Sequence, residues 1–359
     1  MPSNNRIILA SAGSGKTTTI VDDACGSSPD VRVAIITYTR NNTSEVRTKT
    51  YERIGIIPPN LTVSTWYAFL LRHFVRPYQR CLYARRVSQL CFVHGQSAPR
   101  TKAADIARHY FGGPGRIYSD KVSKFACEVI HKTGGLPIQR FEQIFDRLFI
   151  DESQDLAACD LDLIEQLLKS GTHVTLVGDH RQATYSTHNA RKNKKFARAN
   201  IIHKFEEWQK AGLCEIEYQY QSRRCTQAIC DFADRLYPNL PKTESLNKTI
   251  TGHDGVYAIP RSRVPGYIDV FHPQPLRYDR KSKNVPKLAI NFGDSKGKTF
   301  DRTIIFPHKM LEKFLMTGDL KDAGAAIAKI YVAVTRARQS AAFVIADGAT
   351  PVSVPIFER

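Results

Sequence analysis

The sequence predicts a two-domain α/β protein built on parallel sheets. Three observations carry this. The 359 residues exceed what a single core commonly serves. Short apolar runs alternate with helix-like segments, the pattern of strand–helix–strand units with parallel strands. The first run, "RIILA" (6–10), leads straight into a glycine-rich loop that opens a helix.

In chain order, "RIILA" is the first strand and "TTTIVDDAC" (17–25) the helix after the loop. "VRVAIITYT" (31–39), "RLFIDE" (147–152) and "HVTLVGD" (173–179) are further buried strands. Residues 70–145 are mixed and helical, with glycine breaks at 112–115, and read as an insertion of about 75–145 in a first domain, 1–200. A second domain, 201–359, follows on the same plan, with strands expected at "LCEIEY" (213–218), "GYIDVF" (266–271), "KLAINF" (287–292), "RTIIFP" (302–307) and "AAFVIAD" (341–347). A short excursion at 238–265 is rich in Pro, Gly, Thr and Asn.

The formal net charge is +18, which points to a polyanionic partner. The charge is also unevenly placed. No Asp or Glu occurs from Arg53 to Ala104, a stretch holding Arg72, Arg76, Arg80, Arg85, Arg86, Arg100 and Lys102. A second acid-free stretch, His180 to Phe205, holds Arg181, Arg191, Lys192, Lys194, Lys195, Arg198 and Lys204. Runs without counter-charges keep their field at phosphate range. The eight cysteines form no CxxC pair, so zinc and disulfide frameworks are set aside and reduced thiols of a cytoplasmic protein are expected. No apolar run reaches the length of a membrane span.

Residues 10–17 fit the pattern [A/G]-x4-G-K-[S/T]. Backbone N–H groups of Ala12, Gly13, Ser14 and Gly15 are placed to curl around phosphate oxygens, with Thr18 in the first helical turn. Lys16 brings a point charge to the outer phosphates, and the Thr17 hydroxyl suits Mg²⁺. In "LFIDESQD" (148–155) a strand delivers Asp151 and Glu152 at its carboxyl end, where open α/β sheets bind ligands. Asp151 suits the metal and Glu152 the attacking water. Gln182, after another strand, suits a γ-phosphate sensor. Arg224 and Arg336 suit the charge that develops in phosphoryl transfer.

Together these segments resemble the UvrD/Rep group of superfamily 1 helicases, in the family's order and over nearly the whole chain. The glycine loop resembles motif I, "ITYTRNNTSEVR" (36–47) motif Ia and "TVSTWYAFLLR" (62–72) the next nucleic-acid-contacting motif. "FIDESQD" is similar to motif II, "LVGDHRQATY" (176–185) to motif III and "QSRRCTQAI" (221–229) to motif IV. "GDSKGKTFDRTIIF" (293–306) and "IYVAVTRAR" (330–338) resemble motifs V and VI.

The resemblance implies two RecA-like P-loop NTPase domains in tandem, the first with a mainly helical insertion. It implies ATP and Mg²⁺ as cofactors, hydrolysis between the domains, and 3′ to 5′ movement on single-stranded DNA. It assigns catalysis to Lys16, Glu152, Gln182, Arg224 and Arg336, and metal binding to Thr17 and Asp151. Arg223, Gly297 and Thr299 fall at nucleotide-contacting positions, and Thr37, Tyr38, Thr65, Trp66, Tyr67 and Tyr185 at strand-contacting ones. No glutamine stands among Met1–Leu9, and Arg223 replaces the family's base-stacking tyrosine, so loose base choice is expected. The short second insertion motivates an alternative, an ATP-gated DNA-binding subunit beside a nuclease partner in defence or repair. Phosphate contacts by themselves do not separate DNA from RNA.

Overall fold

The computed structural model describes residues 4–93, 95–184, 193–196 and 198–358. They divide into two compact units. One holds the described residues of 4–9, 16–180 and 193–218; the other holds 10–15, 181–184 and 219–358.

The first unit is organised by a six-stranded sheet. In chain order its part of the chain forms β1 (Arg6–Ala10), β2 (Val33–Thr37), β3 (Leu61–Thr65), β4 (Gln89–Cys91), β5 (Arg116–Tyr118), β6 (Arg147–Ile150), β7 (His173–Gly178) and β8 (Glu215–Gln219). The sheet order is β3-β2-β6-β7-β1-β8, and β4 pairs with β5 apart from it. The pairs β3–β2, β2–β6, β6–β7 and β7–β1 are parallel. Every residue of β2, VAIIT, is buried, which is why the run is apolar throughout rather than alternating. Helix Lys16–Cys25 follows β1 and buries Ile20, Val21 and Ala24 along one face. Helix Arg40–Ile54 starts on Thr39, whose side chain accepts from the Asn42 N–H, and ends at Gly55 in the left-handed region.

Asn5 ties the edge of this sheet together. Its buried amide donates to Leu168 O (2.8 Å) and Leu213 O (2.9 Å) and accepts from Val174 N (2.8 Å). Such a side chain satisfies three backbone groups that strand pairing leaves over. The region between β3 and β6 supplies core as well as surface. Helix Val122–Lys132 buries Phe125, Ala126, Val129 and Ile130 and packs on the segment 71–75 and helix Cys159–Leu168.

The second unit forms β9 (Gln221–Ser222), β10 (Glu244–Ser245), β11 (Gly255–Pro260), β12 (Gln274–Arg277), β13 (Ile290–Asn291), β14 (Phe300–Phe306) and β15 (Ala337–Ile345). Its main sheet, β11-β15-β14-β12-β13, is parallel throughout. Helices Gln227–Arg235, Lys309–Thr317 and Ile327–Val334 supply Ile229, Phe232, Leu311, Phe314, Ile330 and Tyr331 to its core.

Three expected strands differ. The sequence places "LCEIEY" in the second domain, but β8 lies beside β1, where Glu215 N donates to Asn5 O (2.9 Å) and Arg6 pairs with Glu217 (2.5 Å). "GYIDVF" is helical, Val264–Phe271: Pro265 occupies the first turn, where no N–H is needed, and Val264 and Tyr267 bury one face. "KLAINF" keeps only Ile290–Asn291 as strand, because Ala289 N turns back to Pro286 O and a 3₁₀ turn begins at Gly293.

Candidate nucleotide and nucleic-acid site

In the first unit, a helix begins at Lys16. The Thr17 hydroxyl donates to Asp151 Oδ2 at 3.1 Å, although 134 residues separate them. Asp151 directly follows β6 and is buried, 3% exposed. Burial and the neighbouring Glu152 charge push its carboxyl up, while Lys16 and the Thr17 hydrogen bond pull it down. Two adjacent carboxylates facing a lysine and a hydroxyl in a buried place fit a hard divalent cation, which relieves their repulsion. Thr18 is exposed and accepts from Lys49 Nζ at 3.3 Å.

Glu152 adopts φ 56°, ψ 40°, a left-handed conformation that costs energy for a side chain of this size. It is held there from both sides. Its N–H donates to Asp151 Oδ1 (2.8 Å), and Gln154 Nε2 donates to Glu152 Oε2. Gln154 Oε1 in turn accepts from Asp179 N (3.0 Å), just past β7. A methyl at Gly178 would overlap Ser153 Oγ and come within 2.5 Å of Gln154 Oε1, so this strand end needs glycine. Gln154 was not singled out in the sequence; the legible signal was its place two residues after Glu152.

In the second unit, the glycine loop is packed on the motif IV segment. Arg223 N donates to Gly13 O (2.9 Å), Ser222 Oγ to Ala12 O (2.8 Å) and Ser11 Oγ to Gln221 O (2.9 Å). Ala12 N donates to the Tyr331 hydroxyl (3.2 Å). Gly13 and Gly15 both have positive φ, 77° and 91°. The Ser14 hydroxyl is buried without a hydrogen-bond partner, a polar atom that a phosphate oxygen would satisfy. The glycines and this hydroxyl therefore fit a nucleotide's phosphates.

The Arg336 guanidinium is 2% exposed. It donates to Val332 O (3.0 Å), Lys298 O (3.3 Å) and Gln182 Oε1 (3.2 Å), joining two of the expected catalytic residues. Arg224 Nη1 donates to Thr335 O (3.2 Å), while the Arg223 side chain is exposed. Ser222 and Tyr331 are the contributors here that motif reading passed over.

Gly297 lies in an open turn with φ 82°. Thr299 instead lines a cavity of ≈ 1010 Å³ at the amino ends of β12 and β14, with Phe300, Arg302 and Arg338 among its walls. Ligand sites of open parallel sheets lie at the opposite, carboxyl ends.

The expected strand-contacting residues divide by exposure. Trp66 is fully buried, its indole N–H donating to Asp160 Oδ1 at 3.0 Å and its ring stacked on Phe69 at 5.8 Å. The expected base contact by Trp66 is therefore corrected: a ring enclosed in the core presents no face to a base. Thr37 is also buried, with its hydroxyl on Thr39 O (3.2 Å) and Thr43 Oγ1 (2.8 Å). Tyr38, Thr65 and Tyr67 are half-buried. Burial pushes the Tyr38 and Tyr67 phenols up, so both stay neutral donors. Tyr185, Arg191 and Lys192 lie outside the described residues. Among the described residues no helix is long and apolar enough to cross a membrane.

The structure of an arterivirus nonstructural protein 10, a helicase, in complex with DNA is similar to this chain, with TM-score 0.50 and 14% identity. The match covers 96% of this chain and 61% of that one. A crystal structure of an arterivirus nonstructural protein 10 (helicase) matches with TM-score 0.49 and 15% identity, over 95% of this chain and 59% of that one. This chain thus spans about three fifths of the length of the solved structures it matches. No curated protein sequence matches it. A family model does: AAA_19, described as an AAA domain, matches residues 1–188, which include the glycine loop, Asp151, Glu152 and Gln182. With more than half of its length in that match and two parallel α/β sheets of the RecA-like kind, the chain belongs to the AAA_19 family of AAA domains.

Proposed function

We propose that this chain is an ATP- and Mg²⁺-dependent translocase of helicase type that moves 3′ to 5′ along single-stranded DNA. The observation that carries the nucleotide half is the Thr17–Asp151 contact of 3.1 Å. Sequence distance gives no reason for it, and phosphoryl-transfer chemistry does. Thr17 and Asp151 would hold Mg²⁺, which neutralises charge on phosphate oxygens when bound.

The remaining roles belong to the chain's own groups. Lys16 binds the outer phosphates, and Ala12 to Gly15 offer them backbone N–H groups. Glu152, held by Gln154, takes the proton of the attacking water on a carboxylate oxygen. Arg224 and Arg336 neutralise charge spreading over the transferred phosphoryl group, and Gln182 reports its presence through the hydrogen bond to Arg336. Arg223 offers a guanidinium plane to a base, a contact that accepts guanine as well as adenine. The +18 net charge and the half-buried Tyr38 and Tyr67 support the nucleic-acid half.

The test is ATP and GTP hydrolysis by the purified chain with and without single-stranded DNA or RNA, followed by unwinding of 3′- and 5′-tailed duplexes. DNA-stimulated hydrolysis that is lost in Lys16→Ala is the expected result. Hydrolysis unaffected by either change overturns the proposal. DNA-dependent hydrolysis without strand separation moves the reading to an ATP-gated subunit of a nuclease-containing complex, and unwinding from the 5′ tail alone reverses the polarity.

A further inference from the structure

We infer that the segment 76–92 of the first unit is a second nucleic-acid contact, in which Phe92 stacks on a base and Arg76, Arg80 and Arg86 hold the adjoining phosphates. The inference rests on the nucleic-acid reading above and adds a place that none of the motifs covers. Phe92 is 73% exposed, directly after β4. A phenylalanine held so far into water leaves a large apolar face unused. Its ring meets the half-buried Tyr67 edge-on at 6.2 Å, so the two form one aromatic step continuous with a residue already expected at the strand.

The cationic part is a cavity of ≈ 510 Å³ lined by Arg76, Pro77, Gln79, Arg80 and Arg86. Arg76, Arg80 and Arg86 are exposed, in a stretch with no acid from Arg53 to Ala104. Two carboxylates act on Tyr67 from packed elements: Asp160, engaged by Trp66 Nε1 (3.0 Å) and Ser123 Oγ, and Asp120, engaged by Ser97 through N (2.9 Å) and Oγ (2.6 Å).

The segment is also set in place before any ligand arrives. Arg76 Nε donates to Val87 O (2.9 Å), and Gln79 spans the loop by donating to Arg85 O (2.8 Å) and accepting from Val87 N (2.9 Å). Ser88 N and Gln89 N both donate to Gly115 O. Gly115, at φ 67°, approaches so closely that a methyl there would lie 2.6 Å from Arg86 O. Phe92 follows Arg86 by six positions, at most about 20 Å of extended chain. A pre-arranged set of guanidinium groups on the same segment as an exposed ring matches sequence-tolerant single-strand binding, which pairs backbone cations with base stacking.

The test is fluorescence anisotropy of a labelled oligothymidylate with the full chain, at several salt concentrations. Phe92→Ala is expected to weaken binding about tenfold with an unchanged salt slope, and Phe92→Trp to restore it. Arg80→Gln with Arg86→Gln is expected to flatten the dependence of log affinity on log salt by about 1.4, at about 0.7 per single-strand phosphate contact. Wild-type affinity and slope in all three variants overturn the inference while leaving the proposed function intact. A wild-type chain that binds no oligonucleotide overturns both. Circular dichroism melting shows whether each variant is folded; weakened binding by a variant that melts as wild type does supports the contact, and weakened binding matched by an equal loss of folded protein overturns it.

Discussion

A methyl group placed on Gly13 would lie 2.5 Å from the Cβ of Arg224. The loop residue and the motif IV arginine are therefore packed backbone to side chain, with Arg223 N donating to Gly13 O alongside. Gly13→Ala is expected to force these segments apart and to add the strain of φ 77°. Gly297→Ala carries similar strain at φ 82° but meets nothing within 4 Å. Nucleotide titration is expected to show at least tenfold weaker binding for Gly13→Ala and a change of less than threefold for Gly297→Ala; equal effects would rule out close packing as the cause.

Glu152 and Gln154 separate chemistry from positioning. Glu152→Gln removes the proton acceptor and is expected to lower kcat by about 10²- to 10⁴-fold with nucleotide affinity kept. Gln154→Ala removes the hydrogen bond that orients Glu152 and frees Asp179 N from its acceptor. A smaller loss, in kcat rather than KM, is expected, with the pH profile of hydrolysis displaced; a loss confined to KM would contradict the positioning role.

Trp66 is expected to matter for stability and not for nucleic-acid affinity. Its indole N–H serves Asp160, whose carboxylate also accepts from Ser123 Oγ and Ala157 N (3.3 Å). Trp66→Phe leaves that buried acceptor short of a donor, at a cost of about 1–3 kcal/mol. Urea unfolding measures the loss. Anisotropy on the same variant is expected to match the wild type, whereas Tyr67→Ala weakens binding.

His73 couples stability to pH. It is buried against Phe69, Phe141 and Phe145, and burial, with Arg72 and Arg140 adding like charge, lowers its pKa to about 4. The unfolded chain takes up this proton near pH 6.5 and the folded chain does not. Below pH 6.5 the unfolded state therefore binds more protons, and this contribution to stability falls until about pH 4. Denaturant midpoints at pH 7.5, 6 and 5 are expected to decline in the wild type and to decline less in His73→Leu.

Much of this molecule is legible in the linear chain, for a physical reason. Strands of a parallel sheet are covered on both faces, so β1, β2 and β6 and the buried halves of β7, β14 and β15 read as apolar runs. The phosphate loop and the Asp151–Glu152 pair are likewise local: their residue types stand next to one another because the turn or strand end that presents them is only a few residues long. What depended on distant neighbours did not show in the pattern. Val264–Phe271 has the apolar content of a strand, and its helical state follows from Pro265 in the first turn and from the face that Val264 and Tyr267 bury. β8 pairs beside β1 because Asn5 and Arg6 engage it, from more than two hundred residues away in the chain.

Burial was the other decision left to the tertiary structure. Trp66 and Tyr67 are adjacent and chemically alike, yet a helix turns successive side chains about 100° apart, so one meets Asp160 in the core and the other meets Phe92 at the surface. By itself the sequence determined most of the buried strands, the glycine-rich loop and the types of residue that could act. The three-dimensional packing decided which of them sit together, because a contact such as Thr17 with Asp151 is made by strand order in the sheet and leaves no trace in spacing.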